Sequence, residues 1–143
     1  MSTFQKPLKV RDAAGSSVGD VVVTQQVTLQ AGGAATADFY VDLPVGARLV
    51  DMKFQTSVAH TSASAAVTAG SAAGGAQYSA STTVTTAGTA AATATTILAA
   101  WQSLAGNVAV NGRDVARVYF RLTLGAAQTS VGTTYAVVSY VAA

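Results

Sequence analysis

The chain has 143 residues, of which 50% are hydrophobic, 10% charged and 7% aromatic, and its formal net charge is +2. This length suits one domain with a buried core, and the high hydrophobic fraction excludes an intrinsically disordered chain. The small net charge argues against a nucleic-acid partner. Because the chain contains no cysteine, disulfides and thiolate-bound metal ions are excluded as well.

The shortage of charge is greatest in the middle of the chain, where residues 54–112 contain no Asp, Glu, Lys or Arg. Monomeric proteins normally keep their surface soluble with interspersed charges. We therefore expect that copies of the chain, or other proteins, cover much of its surface; the alternative is an unusually neutral monomer. No run of about 20 apolar residues occurs, so no membrane-spanning helix and no membrane partner are expected.

Residues 1–17 are predicted to form an extended N-terminal arm, and residues 18–143 a single domain. The arm contains the apolar residues Phe4 and Leu8 and the cations Lys6 and Arg11. One interpretation is a frayed chain end, which is common in proteins. The other is an arm that lies on a neighbouring copy, with these four residues in the interface.

Three segments in the first half alternate apolar and polar residues, which predicts β-strands with one buried face. They cover residues 20–30, 36–43 and 48–58, and glycines or a Pro-Gly turn separate them. The side chains expected in the core are Val21, Val23, Val27 and Leu29 in the first strand, Ala37, Phe39, Val41 and Leu43 in the second, and Val50, Met52, Phe54 and Val58 in the third.

The uncharged segment from Ser71 to Thr96 has two interpretations, a flexible linker or a part of the fold. Flexible linkers are rich in Gly and Ser without clusters of β-branched residues. In this chain every residue from Thr82 to Thr86 is Thr or Val, and both side chains favour strands. Short strands with glycine turns are therefore predicted within residues 65–70 and 77–88.

The last third of the chain predicts one helix, a hairpin and two further strands. Four large apolar residues recur at helical spacing, which predicts a short helix at about residues 95–104: Ile97, Leu98, Trp101 and Leu104. Asn111-Gly112 favours a type I′ hairpin turn, and residues 116–124 and 133–143 read as strands. About eight strands and one helix predict an all-β fold, an antiparallel β-sandwich of the jelly-roll or a related Greek-key type.

No catalytic, cofactor-binding or metal-binding residue is predicted, and we do not expect an enzyme or a cofactor. His60 is the only histidine; no nucleophile motif lies beside it, so it is predicted to be an exposed loop residue. Asp38 and Asp42 lie on one face of one strand about 13 Å apart, which is too far for a pair of glycosidase carboxylates.

Two predicted strands carry complementary stripes on their outward faces, one acidic and one basic, each with a central tyrosine. The acidic stripe is Asp38, Tyr40 and Asp42, and the basic stripe is Arg117, Tyr119 and Arg121. Opposite charges on facing strands attract, so we predict that the stripes meet, either in one sheet or across a subunit boundary. Swapping the charges of Asp38 and Arg117 together should then rescue what each single swap breaks.

Three segments resemble small virion proteins of tailed bacteriophages and of the related gene transfer agents. They are DLPVGARLVDMKF at 42–54, AVTAGSAAGGAQYSAS at 66–81 and TYAVVSYV at 134–141. The shared pattern is a Leu-Pro-x-Gly turn leading into a strand with Asp, then a Gly-Ala-Ser segment and a closing aromatic and Val strand. The resemblance covers residues 20–142. It implies a jelly roll attached to a capsid, commonly trimeric or pentameric, that serves as a head decoration protein or as the base of a head spike.

We therefore expect a structural virion protein, made in the bacterial cytoplasm and located on the capsid surface, that stabilises the head or seats a fibre. The expected partners are copies of the chain, the major capsid protein and, for a spike base, a fibre protein and host surface polysaccharide. The charge-free loops around residues 59–75 and 87–94 are the expected adhesive surface. The alternative function is a stand-alone carbohydrate-binding or adhesin module.

Overall fold

The computed structural model describes residues 9–11, 17–31, 35–93, 98–126 and 131–142. Within these ranges the chain forms eleven β-strands and one short helix. They are β1 (Lys9–Arg11), β2 (Ser17–Asp20), β3 (Val23–Leu29), β4 (Thr36–Leu43), β5 (Arg48–Val58), β6 (Ala65–Gly70), β7 (Ser79–Thr83), β8 (Gly88–Ala91), α1 (Leu98–Gln102), β9 (Val108–Val110), β10 (Arg113–Leu124) and β11 (Thr133–Val141).

Eight of these strands form two antiparallel sheets that pack face to face. Sheet I has the order β4-β10-β6-β7, with β9 paired to one end of β10, and sheet II has the order β3-β11-β5-β8. Along the chain most connections pass from one sheet to the other, as in a jelly roll of two Greek keys. The predicted all-β sandwich is confirmed.

The N-terminal strands β1 and β2 form a separate two-stranded sheet. The predicted boundary between arm and domain, at residue 18, falls inside β2. The division of the chain into an arm and a single domain stays a prediction.

The core lies between the two sheets and is built from their alternating inward side chains. Phe54 of sheet II and Phe120 of sheet I meet edge to face, with ring centroids 6.2 Å apart, and both are fully buried. Fully burying one large apolar side chain stabilises a fold by about 1.5–3 kcal/mol. Around these two rings lie the buried side chains of Leu29, Leu43, Met52, Val67, Val118, Leu122 and Val138.

Two valines expected in the core of β5 face solvent instead, so that part of the prediction is wrong. Val50 is 37% exposed and Val58 is 51% exposed. The register between β5 and β11 shifts beside each of them, and at each shift β5 has one residue more than β11. An extra residue reverses the alternation of side chains beyond it. Beyond the shift at Val50, Leu49 therefore occupies the interior position, while Thr56 lies before the other shift and stays in phase with Phe54.

The uncharged middle of the chain contains ordered strands. β6 lies inside sheet I between β10 and β7, and β8 lies at the edge of sheet II. The turn after β6 passes so close to the strand that a Cβ added to Gly70 would lie 2.5 Å from the carbonyl carbon of Gly75. The predicted strands at 65–70 and within 77–88 are confirmed, and the small residues allow close approach of the backbone.

The hairpin turn between β9 and β10 is confirmed, because Asn111 and Gly112 both have positive φ, of 53° and 78°, as a type I′ turn requires. The helix α1 ends at Gln102, two residues before the predicted end; the predicted start at residue 95 lies outside the described residues. Trp101 packs against the core, and its indole N–H donates to the carbonyl of Tyr78 at 2.9 Å.

Candidate interaction surface on sheet I

The two charged stripes lie side by side on the outer face of sheet I. β4 and β10 pair over residues 36–43 and 116–123 without a register shift. In this register each residue of one stripe lies directly opposite a residue of the other. The opposed pairs, together called the charged ladder below, are Asp42 with Arg117, Tyr40 with Tyr119 and Asp38 with Arg121. The prediction that the stripes meet is confirmed, as neighbours in one sheet of one chain.

Both ion pairs of the charged ladder are bidentate. Arg117 donates through Nε and Nη2 to the two carboxylate oxygens of Asp42, at 2.7 and 3.1 Å. Arg121 donates in the same way to Asp38, at 2.7 and 3.0 Å. This fork-to-fork geometry fixes the orientation of both partners as well as their separation.

The charge swap expected between Asp38 and Arg117 concerns the wrong pair. The partner of Asp38 is Arg121, and the partner of Arg117 is Asp42. The stripes carry the same period, so two registers would bring acids and bases together, and the sequence does not distinguish them. The register observed between β4 and β10 places Asp38 opposite Arg121 and Asp42 opposite Arg117.

The two tyrosines fill the centre of the charged ladder. Their ring centroids lie 6.3 Å apart, at an interplanar angle of 55°. The guanidinium carbon of Arg117 lies 3.8 Å from the centroid of the Tyr40 ring, a distance that suits a cation–π contact. Tyr40 is nevertheless 52% exposed, so the ladder presents an aromatic and polar surface to the outside.

The ion pairs also shift the pKa of three ladder residues in the direction that favours the charged form. The hydrogen bond from Arg121 holds the pKa of Asp38 below its usual range. The hydrogen bond to Asp42 raises the pKa of Arg117, and the bond to Asp38 does the same for Arg121. Two positive and two negative groups leave the ladder neutral overall, which suits contact with a protein surface better than contact with nucleic acid.

Two features that sequence reasoning missed hold the ladder from the side of β6. The Asn107 side chain accepts from the backbone N–H of Arg117 at 2.7 Å and donates to the carbonyls of Arg117 and Ser71 at 2.9 and 2.7 Å. Gly74, with φ of +79°, lies so close to Arg121 that an added Cβ would be 2.6 Å from Nη1. A single Asn or Gly in a loop gives no sequence signal for such a role.

The four N-terminal residues predicted for the interface are not brought to the charged ladder by the described structure. Phe4, Lys6 and Leu8 lie outside the described residues. The backbone of Arg11 lies in β1, opposite Ser17 of β2. The interface role of all four stays a prediction, as does that of the ladder residues.

His60 is buried, with 4% exposure, so its prediction as an exposed loop residue is wrong. Its Nε2 lies 2.7 Å from the hydroxyl oxygen of Thr134, which lies 2.9 Å from the hydroxyl oxygen of Thr56. Thr56 donates to the carbonyl of Val84 at 3.1 Å. The small polar residues around His60 in the sequence are typical of a loop, and they gave no sign of burial.

The single protons of the two hydroxyls fix the direction of this buried hydrogen-bond chain. Thr56 uses its proton on Val84, so it accepts from Thr134. Thr134 then has no proton for His60, and the N–H of His60 Nε2 donates to Thr134. The chain joins β5, β11 and the segment between β7 and β8, and this arrangement makes His60 a structural residue.

The two loops expected to form an adhesive surface are strands over part of their length. β6 occupies residues 65–70 inside the first, with Ala65, Val67 and Ala69 buried, and β8 occupies residues 88–91 inside the second. For these residues the prediction of loops is wrong, although most residues of β8 are exposed. β6 is an interior strand of sheet I, and its apolar side chains face the core.

No group of three or more His, Cys, Asp or Glu side chains within the described ranges is arranged to hold a metal ion. A pocket beside Thr56, lined by residues 83–84 and 86–90, has a volume of about 100 Å³, below the roughly 300–1,000 Å³ of typical ligand sites.

None of the helices in the described part of the chain is long and apolar enough to cross a bilayer.

Among solved structures, the chain is similar to a chain of the cyanophage Pam1 capsid asymmetric unit. The TM-score is 0.53, the sequence identity is 19%, and the match covers 100% of both chains. At this identity the likeness concerns the fold. No protein-family model and no curated protein sequence matches the chain.

Proposed function

We propose that the chain is a structural protein of a tailed-phage virion or a gene transfer agent, located on the capsid surface and assembled with copies of itself. The observation that carries this proposal is the fold likeness to a chain of a cyanophage capsid asymmetric unit, over the whole length of both chains. The resemblance of residues 20–142 to small jelly-roll virion proteins supports the same role. In this role the chain performs no catalysis.

The distribution of charge supports assembly. From Phe54 to Gly112 the chain has no charged residue, and the four charged groups of the ladder neutralise one another in pairs. A surface with so little free charge is poorly suited to a crowded solution as a monomer, and well suited to permanent contact with other subunits. Attachment to the major capsid protein, as a head decoration protein or as a spike base, is the finer form of the proposal.

The alternative of a stand-alone carbohydrate-binding module has less support. Sugar-binding sandwiches need an aromatic ring whose face is open for stacking. Tyr40 is the most exposed aromatic side chain of the described residues, but the guanidinium of Arg117 covers one face of its ring at 3.8 Å. The pocket beside Thr56, at about 100 Å³, is also small for a sugar ring.

The proposal is tested on purified particles from the source bacterium. We expect the chain to be present in many copies per particle, antibodies against it to label the head rather than the tail, and chemical cross-linking to join it to the major capsid protein. A matched control is an antibody against an internal head protein, which should label broken heads alone. Absence of the chain from purified particles, with abundant chain in the host lysate, would contradict the proposal.

A further inference from the structure

The two long sides of the sandwich are closed to different degrees. On one side β7 and β8 bring sheet I and sheet II together, because the Ala80 N–H donates to the carbonyl of Thr93, just beyond β8, at 2.9 Å. The hydroxyls of Thr82 and Thr93 lie 2.9 Å apart at the same place. Backbone and side-chain bonds therefore connect the two sheets along this side.

On the opposite side the outer strands are β3 and β4, and among the described strands each pairs along one edge alone. Four inward apolar side chains of these two strands are partly buried, whereas the centre of the core is fully buried. The partly buried side chains are Val23 and Val27 on β3 and Ala37 and Phe39 on β4. A partner that packed along this side would therefore bury more of their apolar surface.

The hydrogen-bond pattern identifies which backbone groups of β4 point outward. The N–H of Leu124 donates to the carbonyl of Ala35 at 2.8 Å, so Leu124 and Ala35 form a hydrogen-bonded pair. In an antiparallel ladder such pairs alternate, so the odd-numbered residues of β4 bond to β10. Thr36, Asp38, Tyr40 and Asp42 therefore direct their N–H and C=O groups away from β10.

The outer edge of β4 lacks the features that usually prevent strand pairing. Protein edges are commonly protected by lysine, by proline or by a bulge. Thr36–Leu43 contains no lysine or proline, and it pairs with β10 without a register shift. Its two acidic side chains are both engaged with arginines of β10. The edge is regular in its pairing and locally neutral.

We propose that β4 pairs in an antiparallel manner with β4 of a second copy of this chain, around a two-fold axis at Phe39. In this contact the outward N–H and C=O groups of the even-numbered residues must lie opposite even-numbered residues of the second copy. The two-fold axis therefore passes through one residue of β4 and not between two residues. An axis at Tyr40 places Asp38 opposite Asp42, and an axis at Asp38 places Asp38 opposite itself; like charges opposite each other are unfavourable. An axis at Phe39 pairs Asp38 with Tyr40 and Thr36 with Asp42, over the longest stretch without opposed acids.

This contact joins sheet I of two copies into one continuous sheet. It places the partly buried Phe39 side chains against each other at the junction, which removes apolar surface from water. The inference rests on the assembly of the chain with copies of itself, and it is independent of attachment to a capsid. A two-fold contact joins copies in pairs, so a larger assembly requires a second, different contact.

A single engineered cysteine tests the contact directly, because the chain contains no cysteine of its own. Residues opposite each other in a non-hydrogen-bonded pair have Cα atoms about 4.5 Å apart, which a disulfide can bridge. Phe39→Cys should therefore form, under mild oxidation, a covalent species of twice the 14.2 kDa chain mass. The matched control is Thr36→Cys, whose two copies lie about 20 Å apart in the same register and should stay uncrosslinked.

A second pair of variants leaves the core side chains in place. Tyr40→Pro removes an outward N–H without removing a bond to β10, and proline is tolerated at such edge positions. Tyr40→Ala removes the same ring and keeps the N–H. We expect Tyr40→Pro to lower the solution mass to that of a smaller species with unchanged circular dichroism, and Tyr40→Ala to keep the wild-type mass.

The outcomes separate this inference from the proposed function. An oligomeric wild type in which Phe39→Cys fails to crosslink and Tyr40→Pro keeps its mass overturns the β4 contact and leaves the assembly standing. A monomeric wild type overturns both the β4 contact and the proposed assembly of the chain with copies of itself. A monomer whose Tyr40 amide is protected from hydrogen exchange, and loses protection when residues 1–8 are removed, overturns the contact in favour of the chain's own N-terminal residues as the partner of β4.

Discussion

At the scale of single residues, the two ion pairs of the charged ladder differ in their shielding from water. The side chains of Arg117 and Asp42 are 17% and 32% exposed, whereas those of Arg121 and Asp38 are 36% and 42% exposed. Exposed ion pairs contribute little because water screens them. The Arg117 pair, which also has the Tyr40 ring beside it, is therefore expected to contribute more to stability.

A double charge swap tests this pairing. Asp42→Arg and Arg117→Asp each place like charges opposite each other, and each should lower the midpoint of thermal unfolding. Combining the two restores an opposite pair, so the double variant should recover part of the loss. Because interacting neighbours are non-additive and distant sites add, the control cycle of Asp38→Arg with Arg117→Asp should show no recovery. Equal recovery in the two cycles would contradict the observed register.

At the scale of strands and segments, the buried hydrogen-bond chain from His60 through Thr134 and Thr56 to Val84 joins parts of the fold that are far apart in sequence. The backbone adds a further link, because the His60 N–H donates to the carbonyl of Thr85 at 3.0 Å. Buried polar groups that are fully bonded position a core, and removal of one member leaves the others unsatisfied. Thr134 lies in the middle of this chain.

Replacement of Thr134 by valine is the corresponding test, since valine keeps the shape and removes the hydroxyl. The buried N–H of His60 Nε2 then loses its acceptor, and the free energy of unfolding should fall by about 1–3 kcal/mol. Thr28→Val, on the exposed face of the neighbouring β3, is the matched control and should change it by less than about 0.5 kcal/mol. Equal denaturation midpoints for the two variants would show that the chain contributes nothing measurable.

Alternation and turn chemistry predicted most of these elements, because both act over a few neighbouring residues. β3, β4, β10 and the Asn111-Gly112 turn follow from them directly. The two bulges of β5, by contrast, depend on its pairing with β11, which lies far along the chain. In the sequence, Val50 and Val58 are apolar and follow the same alternation as Met52 and Phe54. No neighbouring residue therefore indicates that they face outward.

The candidate surface was predictable in part for the same reason. The matching periods of the two stripes indicated that β4 and β10 meet, because charge and spacing are visible in the sequence. Which acid meets which base depends on the register, and the contribution of Asn107 and Gly74 depends on the path of loops. His60 is the clearest miss, since its hydrogen-bond partners Thr134 and Thr85 are distant in sequence.

At the scale of the whole molecule, one jelly-roll sandwich accounts for the composition of the chain. The uncharged middle of the chain, residues 54–112, supplies interior and edge strands of the two sheets, and its small residues allow the close backbone approach seen at Gly70. Four of the charged side chains form the two ion pairs on the outer face of sheet I. The proposed assembly and the fold likeness to a capsid chain both depend on this segment being ordered.

Amide hydrogen exchange of the wild-type protein, resolved to peptides, tests most directly whether the uncharged segment is ordered. The account predicts that peptides covering β6 exchange as slowly as those covering β10, because β6 lies between two hydrogen-bonded strands and its amides open only with the sheet. Complete exchange of residues 65–83 at the rate of an unfolded peptide, while β10 and β11 stay protected, would contradict it.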